Sequence, residues 1–228
     1  MPLSIIIPCL NEADGIAESL QSLAPLRARG VEIVVVDGGS TDNTPEIARP
    51  WADQVISAPR GRAMQMNAGA AQAHGDLLLF LHADCRLPPA ADGLIVDGLN
   101  RGRKTWGRFD VTLTGSHPLL RMVSTMMNLR SRVSGIATGD QGLFVTRSLF
   151  EAAGRYPEIA LMEDIALTKK LKHFGKPLAL RHRITVSARR WQKHGVLRTI
   201  LLMWRLRIQY WLGADPNKLA ERYVVHKL

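Results

Sequence analysis

Three short segments of this 228-residue sequence carry the side chains best suited to hold a cation or to bind and move protons. The first is Asp37, which opens the run Asp37-Gly-Gly-Ser-Thr-Asp-Asn. A carboxylate at the end of a strand either serves a ligand or caps the glycine-rich turn that follows it, and both readings stand for Asp37. The second is His82-Ala83-Asp84. Alternation along an extended segment puts residues 82 and 84 on one side, so an imidazole and a carboxylate can face the same ion. The third is Glu163-Asp164, two acids that open a helical pattern and would at least complement the dipole of that helix. Arg60-Gly61-Arg62 precedes another helix, whose free N–H groups favour a phosphate nearby; the plain alternative is a solvated arginine pair. His82 and Cys85, with two residues between them, could join Cys9 at a zinc ion, although no second Cys/His pair with the usual spacing supports that and free cysteines are commonly small buried hydrophobes.

These residues need a scaffold that brings separate segments together. The apolar, β-branched runs at Leu3 to Pro8 and Val31 to Val36 read as strands buried on both faces, separated by a helix from Asp14 with Ile16, Leu20 and Leu23 on one face. Thr44-Pro45 reads as an N-cap with proline at the first helical position. A short strand near Gln54 to Ser57, a helix from Arg62 to Ala73 and the strand Leu77 to Leu81 continue the alternation, which predicts a parallel sheet. In such open sheets ligands bind beyond the carboxyl ends of the strands, and Pro8, Asp37 and His82-Ala83-Asp84 all occupy that position. Beyond Pro88-Pro89 the pattern predicts a helix and an alternating strand through Phe109, Val111 and Leu113. A Met-rich helix from His117 to Val133 and a strand from Leu143 to Thr146 follow. A helix ending at Gly175, two short strands around Leu178 and from Ile184 to Ser187, and a basic amphipathic helix complete the chain.

SIIIPCLNE at the first strand, VVVDGGSTDNT at the second, GRAMQMNAGA before a strand ending LHAD, and the later MEDIAL together resemble the family 2 glycosyltransferases of the GT-A fold. The segments GDQG and SARRW, with the Trp/Arg-rich carboxyl helix, are similar to a small bacterial subgroup named for arsenosugar biosynthesis or selenium-associated gene neighbourhoods. The resemblance implies an α/β fold, a mixed, mainly parallel sheet flanked by helices, with a basic helical C-terminal extension. It implies a non-processive, hexosyltransferase-type enzyme that moves a sugar, with inversion, from a nucleotide-diphosphate sugar, by family frequency a UDP-sugar, to a hydroxyl acceptor. Pro8, Leu10, Asn11, Glu12 and Asp37 would surround the nucleoside, with Arg62, Asn67, Ala83 and Asp84 also on the donor side. Asp84, with His82 where the family often has an aspartate, would hold Mn²⁺ or Mg²⁺. Asp164 would be the general base, and Glu163, Asp140, Gln141, Arg190 and Trp191 would meet the acceptor. The glutamine of the processive members' Gln-x-x-Arg-Trp motif is missing ahead of Arg190-Trp191, which speaks against polymer synthesis.

Charge is distributed unevenly. The chain carries a formal +10, and the stretch from Lys169 to Leu228 alone holds 15 Lys and Arg against 2 Asp and Glu, a net +13. One end of the molecule should therefore attract phosphates or an anionic membrane surface. No nucleic-acid-binding signature accompanies the charge, so nucleic acid is not an expected partner. The helix from Val196 to Leu212 is interrupted by Arg198, Arg205 and Arg207, so it can lie on a membrane, pack on the core or form a homodimer, but not span about 20 apolar residues of bilayer. Two cysteines and the absence of a secretory leader point to a cytoplasmic protein, peripheral at most to the inner face of the membrane. The expected organisation is one domain over 1–228, with a nucleotide-sugar half at 1–100, an acceptor half at 101–187 and the basic extension at 188–228. A non-catalytic nucleotide-binding or membrane-associated scaffold is the alternative, motivated by His82 in place of an acid and by the basic end.

Overall fold

A computed structural model describes residues 1–115, 117–189, 191 and 195–225. The first half alternates as its apolar runs dictate: β1 (Leu3–Cys9), α1 (Ile16–Gln21), α2 (Ala24–Arg27), β2 (Glu32–Asp37), α3 (Thr44–Ala48), β3 (Gln54–Ser57), α4 (Arg62–Gln72), β4 (Leu77–Phe80) and the two-residue β5 (Cys85–Arg86). The second half comprises α5 (Ala91–Gly102), β6 (Trp106–Leu113), α6 (Pro118–Ser134), β7 (Leu143–Thr146), α7 (Arg147–Ala152), α8 (Glu163–Leu171), β8 (Leu178–Val186), α9 (Val196–Trp211) and α10 (Pro216–Val225). The strands form one sheet in the order β3-β2-β1-β4-β7-β6-β8-β5. The first four of these run parallel, β7 is antiparallel to both β4 and β6, β6 and β8 are parallel, and β5 is antiparallel to β8.

Alternation along the buried strands divides the core in two. Ile5, Ile7, Ile33, Val35 and Leu79 face a cluster completed by α1 and α5. Ile6, Val34, Val36, Leu78 and Phe80 face the opposite cluster, with Met66 of α4, Phe150 of α7 and Leu167 of α8. A third, smaller cluster forms where Leu206 of α9 and Leu219 and Tyr223 of α10 cover Leu161, Met162 and Ile165, so the C-terminal helices pack on the segment that carries the paired acids.

Two local expectations are corrected, and one short strand is added. Thr44 is not the N-cap: Asn43 precedes the helix, Thr44 lies within it with Pro45 in the first turn, and the Thr44 hydroxyl instead accepts from the backbone N–H of Glu12 at 2.8 Å. The two short strands expected near residues 178 and 184 are one strand, β8. Its polar middle, Arg181 to Arg183, is exposed and reads as a break, but the pairing with β6 absorbs it through an irregularity at Phe109/Asp110. β5 was not anticipated, because two residues hold no periodic signal.

Candidate active site

The strand ends meet as expected, and side chains hold them. Nε2 of the buried Gln65 on α4 donates at 2.8 Å to the carbonyls of both Cys9 and Val36, tying the ends of β1 and β2 to the helix between them and the cleft. Gly61 precedes α4 with φ of +141°, a conformation closed to most L side chains, and so permits the chain to enter the helix at that angle. The result is a cleft of about 300 Å³ lined by Pro8, Leu10, Glu12, Arg60, Arg62, Gln65, His82, Ala83, Asp84, Asp140, Leu161 and Tyr223, among others.

Glu163 and Asp164 begin α8 behind Met162, whose left-handed backbone (φ 70°) turns the chain sharply into the helix. The backbone N–H of Gly139 donates to Asp164 Oδ2 at 2.8 Å, while Oδ1 is buried without a hydrogen-bond partner. Burial raises the Asp164 pKa above the ordinary carboxylate value; His82, Arg62 and the Gly139 N–H pull against it. Glu163 is 2% exposed and 4.0 Å from Arg62 Nη1, and burial together with the charge of Asp164 pushes its pKa up to about 7. An acid whose folded-state pKa is raised binds more protons in the folded than in the unfolded chain, so stability falls as pH rises from about 4.5 to 7. Glu163→Gln is therefore expected to raise Tm at pH 8, by the equivalent of up to about 3 kcal/mol, and to flatten the Tm profile across that window. A variant that melts as the wild type does at pH 5 and pH 8 would contradict this.

One ligand atom each of His82, Asp84 and Cys85 lies within 4.8 Å of the others. The thiol of Cys85 is buried, its pKa is driven well above normal first by burial and then by Asp84, and it donates weakly to Asp84 Oδ1 at 3.7 Å. Without a metal the thiol is held neutral, so imidazole, carboxylate and thiol together form a donor set able to hold a divalent cation. Cys9 is not in the cluster; its thiol, pushed up to about 12 by burial and by Asp37, points to the Val36 carbonyl instead. His82 Nδ1 lies 3.4 Å from Asp140 Oδ1. Burial and Arg62 oppose a charge on the ring, but Asp140 and Asp164 outweigh them and its pKa is raised. Arg62 itself is held charged against crowding by Glu163, Asp164, Asp140 and Asp84.

Not every expected residue reaches the cleft. Asp37 turns into its own loop, accepting from the N–H groups of Gly39 and Ser40 and from the Ser40 hydroxyl, as a strand-end Asx turn would. Asn11, at φ 53°, accepts from Thr41 N–H at 2.8 Å and laces the first loop to the second. Asn67 pairs in both directions with the backbone of Tyr156. Gln141 is fully buried, its Oε1 capping the short 3₁₀ turn at Gly139–Gln141 by accepting from Thr138 N–H. Trp191 packs half-buried against the first core cluster, and Arg190 lies outside the described residues. Conversely, Gln65, Leu161 and Tyr223 were missed. Gln65 sits in the quoted GRAMQMNAGA segment without any polar pattern to mark it, and Tyr223 reaches the cleft only through the packing of α10.

The architecture has known counterparts. The chain is 28% identical to an undecaprenyl-phosphate 4-deoxy-4-formamido-L-arabinose transferase of Edwardsiella ictaluri over 151 residues, 61% of this chain and 46% of that protein. The structure is similar to S. aureus TarS 1-349 in complex with UDP-GlcNAc (TM-score 0.68, 21% identity, 83% of this chain, 59% of that one). It is also similar to the mannosyltransferase PcManGT of Pyrobaculum calidifontis in complex with GDP-Man and Mn²⁺ (TM-score 0.64, 21% identity, 99% and 70%). The fold is thus the mixed α/β GT-A architecture of these enzymes. The chain spans about half the length of the curated relatives it matches. The sequence model of glycosyl transferase family 2 matches residues 4–147, well over half of the chain, and the chain therefore belongs to that family.

Proposed function

We propose that this chain is an inverting, non-processive glycosyltransferase that moves a hexose from a UDP-sugar to a hydroxyl acceptor, with a divalent cation on the diphosphate and Asp164 as general base. The observation that carries the reading is the gathering of Arg62, His82, Asp84 and Asp140 in one cleft beside Asp164, whose raised pKa and unpartnered Oδ1 suit a base. In the reaction, Asp164 takes the proton of the acceptor hydroxyl. The oxygen forms its bond to the anomeric carbon as the bond from that carbon to the diphosphate oxygen breaks on the opposite side, and the nucleoside diphosphate leaves with the electron pair. Arg62 faces the charge that develops on the leaving group. A bound Mn²⁺ or Mg²⁺, held by Asp84 and His82, supplies Lewis-acid stabilisation of the same charge. Relatives and neighbours whose names include UDP-GlcNAc, GDP-Man with Mn²⁺, and undecaprenyl phosphate support this reading.

We divide the labour as 1–100 for the donor and 101–187 for the acceptor, and by GDQG and SARRW we group the chain with the arsenosugar-named bacterial subgroup. No helix among the described residues is long and apolar enough to cross a membrane. Leu197, Leu201, Trp204, Ile208 and Trp211, however, form an exposed apolar row along α9 beside the exposed Arg198 and Arg205. We read this row as a peripheral contact with an anionic membrane at the inner face.

Calorimetric titration of UDP, GDP and CDP, with and without Mn²⁺, tests the donor. UDP is expected to bind most tightly and only with the metal at full strength, whereas no binding of any nucleotide would overturn the reading in favour of a scaffold. The role of the 3₁₀ turn has its own test. A methyl group at Gly139 would lie 2.1 Å from His82 Nε2 and 2.8 Å from Asp164 Oδ2. Gly139→Ala is expected to displace both and slow turnover about 100-fold while unfolding stays cooperative. Unchanged turnover would show that neither side chain needs that position.

A further inference from the structure

A second, larger cavity adjoins the cleft at the His82-Asp84 turn. It measures about 430 Å³ and shares Glu12, Ala83 and Asp84 with the cleft. Three parts of the chain wall it. α1 and the residues just before it contribute Asp14, Glu18 and Ser19, β5 contributes Arg86, and the end of β8 with the SARRW segment contributes Thr185, Ser187 and Arg189. Side chains and backbone tie these walls together: Arg86 pairs with Glu18, the N–H of Ser187 donates to the Asp84 carbonyl at 3.2 Å, and the N–H of Ala188 donates to the Thr114 hydroxyl at 3.0 Å. The Arg189 side chain reaches the start of α1, where its Nη2 would lie 3.6 Å from a methyl group on Gly15.

The lining narrows the choice of ligand. Apart from Gly15 and Ala83, every described residue of the wall is polar, so neither a lipid tail nor a stacked base finds a surface there. The carboxylates of Glu12, Asp14, Glu18 and Asp84 outnumber the guanidinium groups of Arg86 and Arg189, an excess that repels phosphate. These acids are spread around the wall rather than gathered on one ion; among the described residues the group close enough for that is His82, Asp84 and Cys85. What remains is a neutral ring of hydroxyl groups, which donate to carboxylates and accept from a guanidinium. The side chains such a ring needs are uncommitted. Asp14 and Arg189 are exposed and make no ion pair among the described residues. Ser19 is 4% exposed and lines the cavity, and its Oγ has no hydrogen-bond partner, an exception to the rule that buried polar groups are paired. We propose that this cavity is a saccharide subsite, in which Asp14, Ser19 and Arg189 bind the hydroxyl groups of a neutral sugar ring beside Asp84. The subsite deepens the glycosyltransferase reading and rests on it only for the part the ring plays in turnover, as the sugar of the donor or a ring of the acceptor.

The test is calorimetric titration of wild type, Asp14→Asn, Ser19→Ala and Arg189→Met with two sets of probes. One compares UDP with UDP-glucose, UDP-galactose and UDP-N-acetylglucosamine, all in Mn²⁺. The other uses the methyl glycosides of glucose, galactose, mannose and N-acetylglucosamine, with and without saturating UDP and Mn²⁺. In the wild type at least one sugar is expected to add affinity, either as a UDP-sugar that binds more tightly than UDP or as a glycoside that binds saturably. Each variant should weaken that sugar about 10-fold or more with UDP affinity unchanged. Without ligand, Asp14→Asn and Arg189→Met should keep the wild-type Tm because both side chains are exposed, and Ser19→Ala should melt no lower because it removes an unpaired buried hydroxyl, which separates lost binding from misfolding. A loss confined to the UDP-sugars assigns the donor's ring, and one confined to the glycosides assigns the acceptor's. Glycoside binding that depends on these residues in a protein that binds no UDP would overturn the donor reading and leave the subsite standing. Sugar affinities within about twofold of wild type in all three variants, no sugar that adds affinity in the wild type, or an equal loss for UDP itself would overturn the subsite.

Discussion

Asp164→Asn is expected to bind UDP and Mn²⁺ as the wild type does and to transfer sugar about 10²–10⁴-fold more slowly, the usual weight of a positioned general base. The substitution is nearly isosteric, and an amide oxygen can still accept from Gly139 N–H at the 2.8 Å seen for Oδ2, so the α8 terminus should hold. What disappears is the proton acceptor at Oδ1. The pH profile supplies a second readout. A base works only when ionised, so wild-type kcat/KM should fall on the acid side. Because burial raises the Asp164 pKa, that fall should lie above the ordinary carboxylate range. The residual activity of the variant should lack that limb. Both are measured as UDP release with the donor and acceptor that give the fastest wild-type turnover. A variant within about threefold of wild type would remove Asp164 from the chemistry.

Asp84→Ala acts on the other partner of the reaction. Its carboxylate is exposed in the cleft and is the only acid of the His82-Asp84-Cys85 group, so its loss leaves an imidazole and a neutral thiol. Metal-enhanced UDP binding should weaken about 100-fold or more, converging on the affinity measured without metal, and turnover should drop with it. Ala at an exposed turn position should leave Tm nearly unchanged. UDP binding that responds to Mn²⁺ equally in both proteins would relocate the cation to other ligands.

The contrast between residues that were legible in the sequence and those that were not has a physical basis. The runs SIII and IVVV announce strands because a strand buried on both faces needs unbroken β-branched residues, and once those strands are parallel their carboxyl ends converge. His82 and Asp84 could be placed from that alone, and Arg62 from its position at the start of a helix and from the family resemblance. Polar residues with several possible partners could not. Asn67 could have reached into the cleft, but it takes the backbone of Tyr156, 89 residues further on, and only the packing of α4 against α7 and α8 decides between the two. Gln141 likewise reads as an acceptor contact and is sealed under its own turn. Trp191 is expected from the resemblance to meet the acceptor, yet its apolar body packs half-buried against the core.

Strand β5 also has a bearing on how the protein is made. Directly after the His82-Asp84 turn, Cys85 and Arg86 pair with Val186 and Thr185, and the N–H of Ser187 donates to the Asp84 carbonyl. The turn is thus anchored at its outer end by chain synthesised roughly 100 residues later, an interval of about 5–20 s at ordinary rates of translation. During that time β1 to β4 can assemble from contiguous chain, but His82 and Asp84, the proposed cation ligands, hang from an unpaired end. Metal capture should therefore follow translation of β8 rather than guide the early steps of folding, and nascent chains stalled before residue 178 should gain no protease resistance from Mn²⁺.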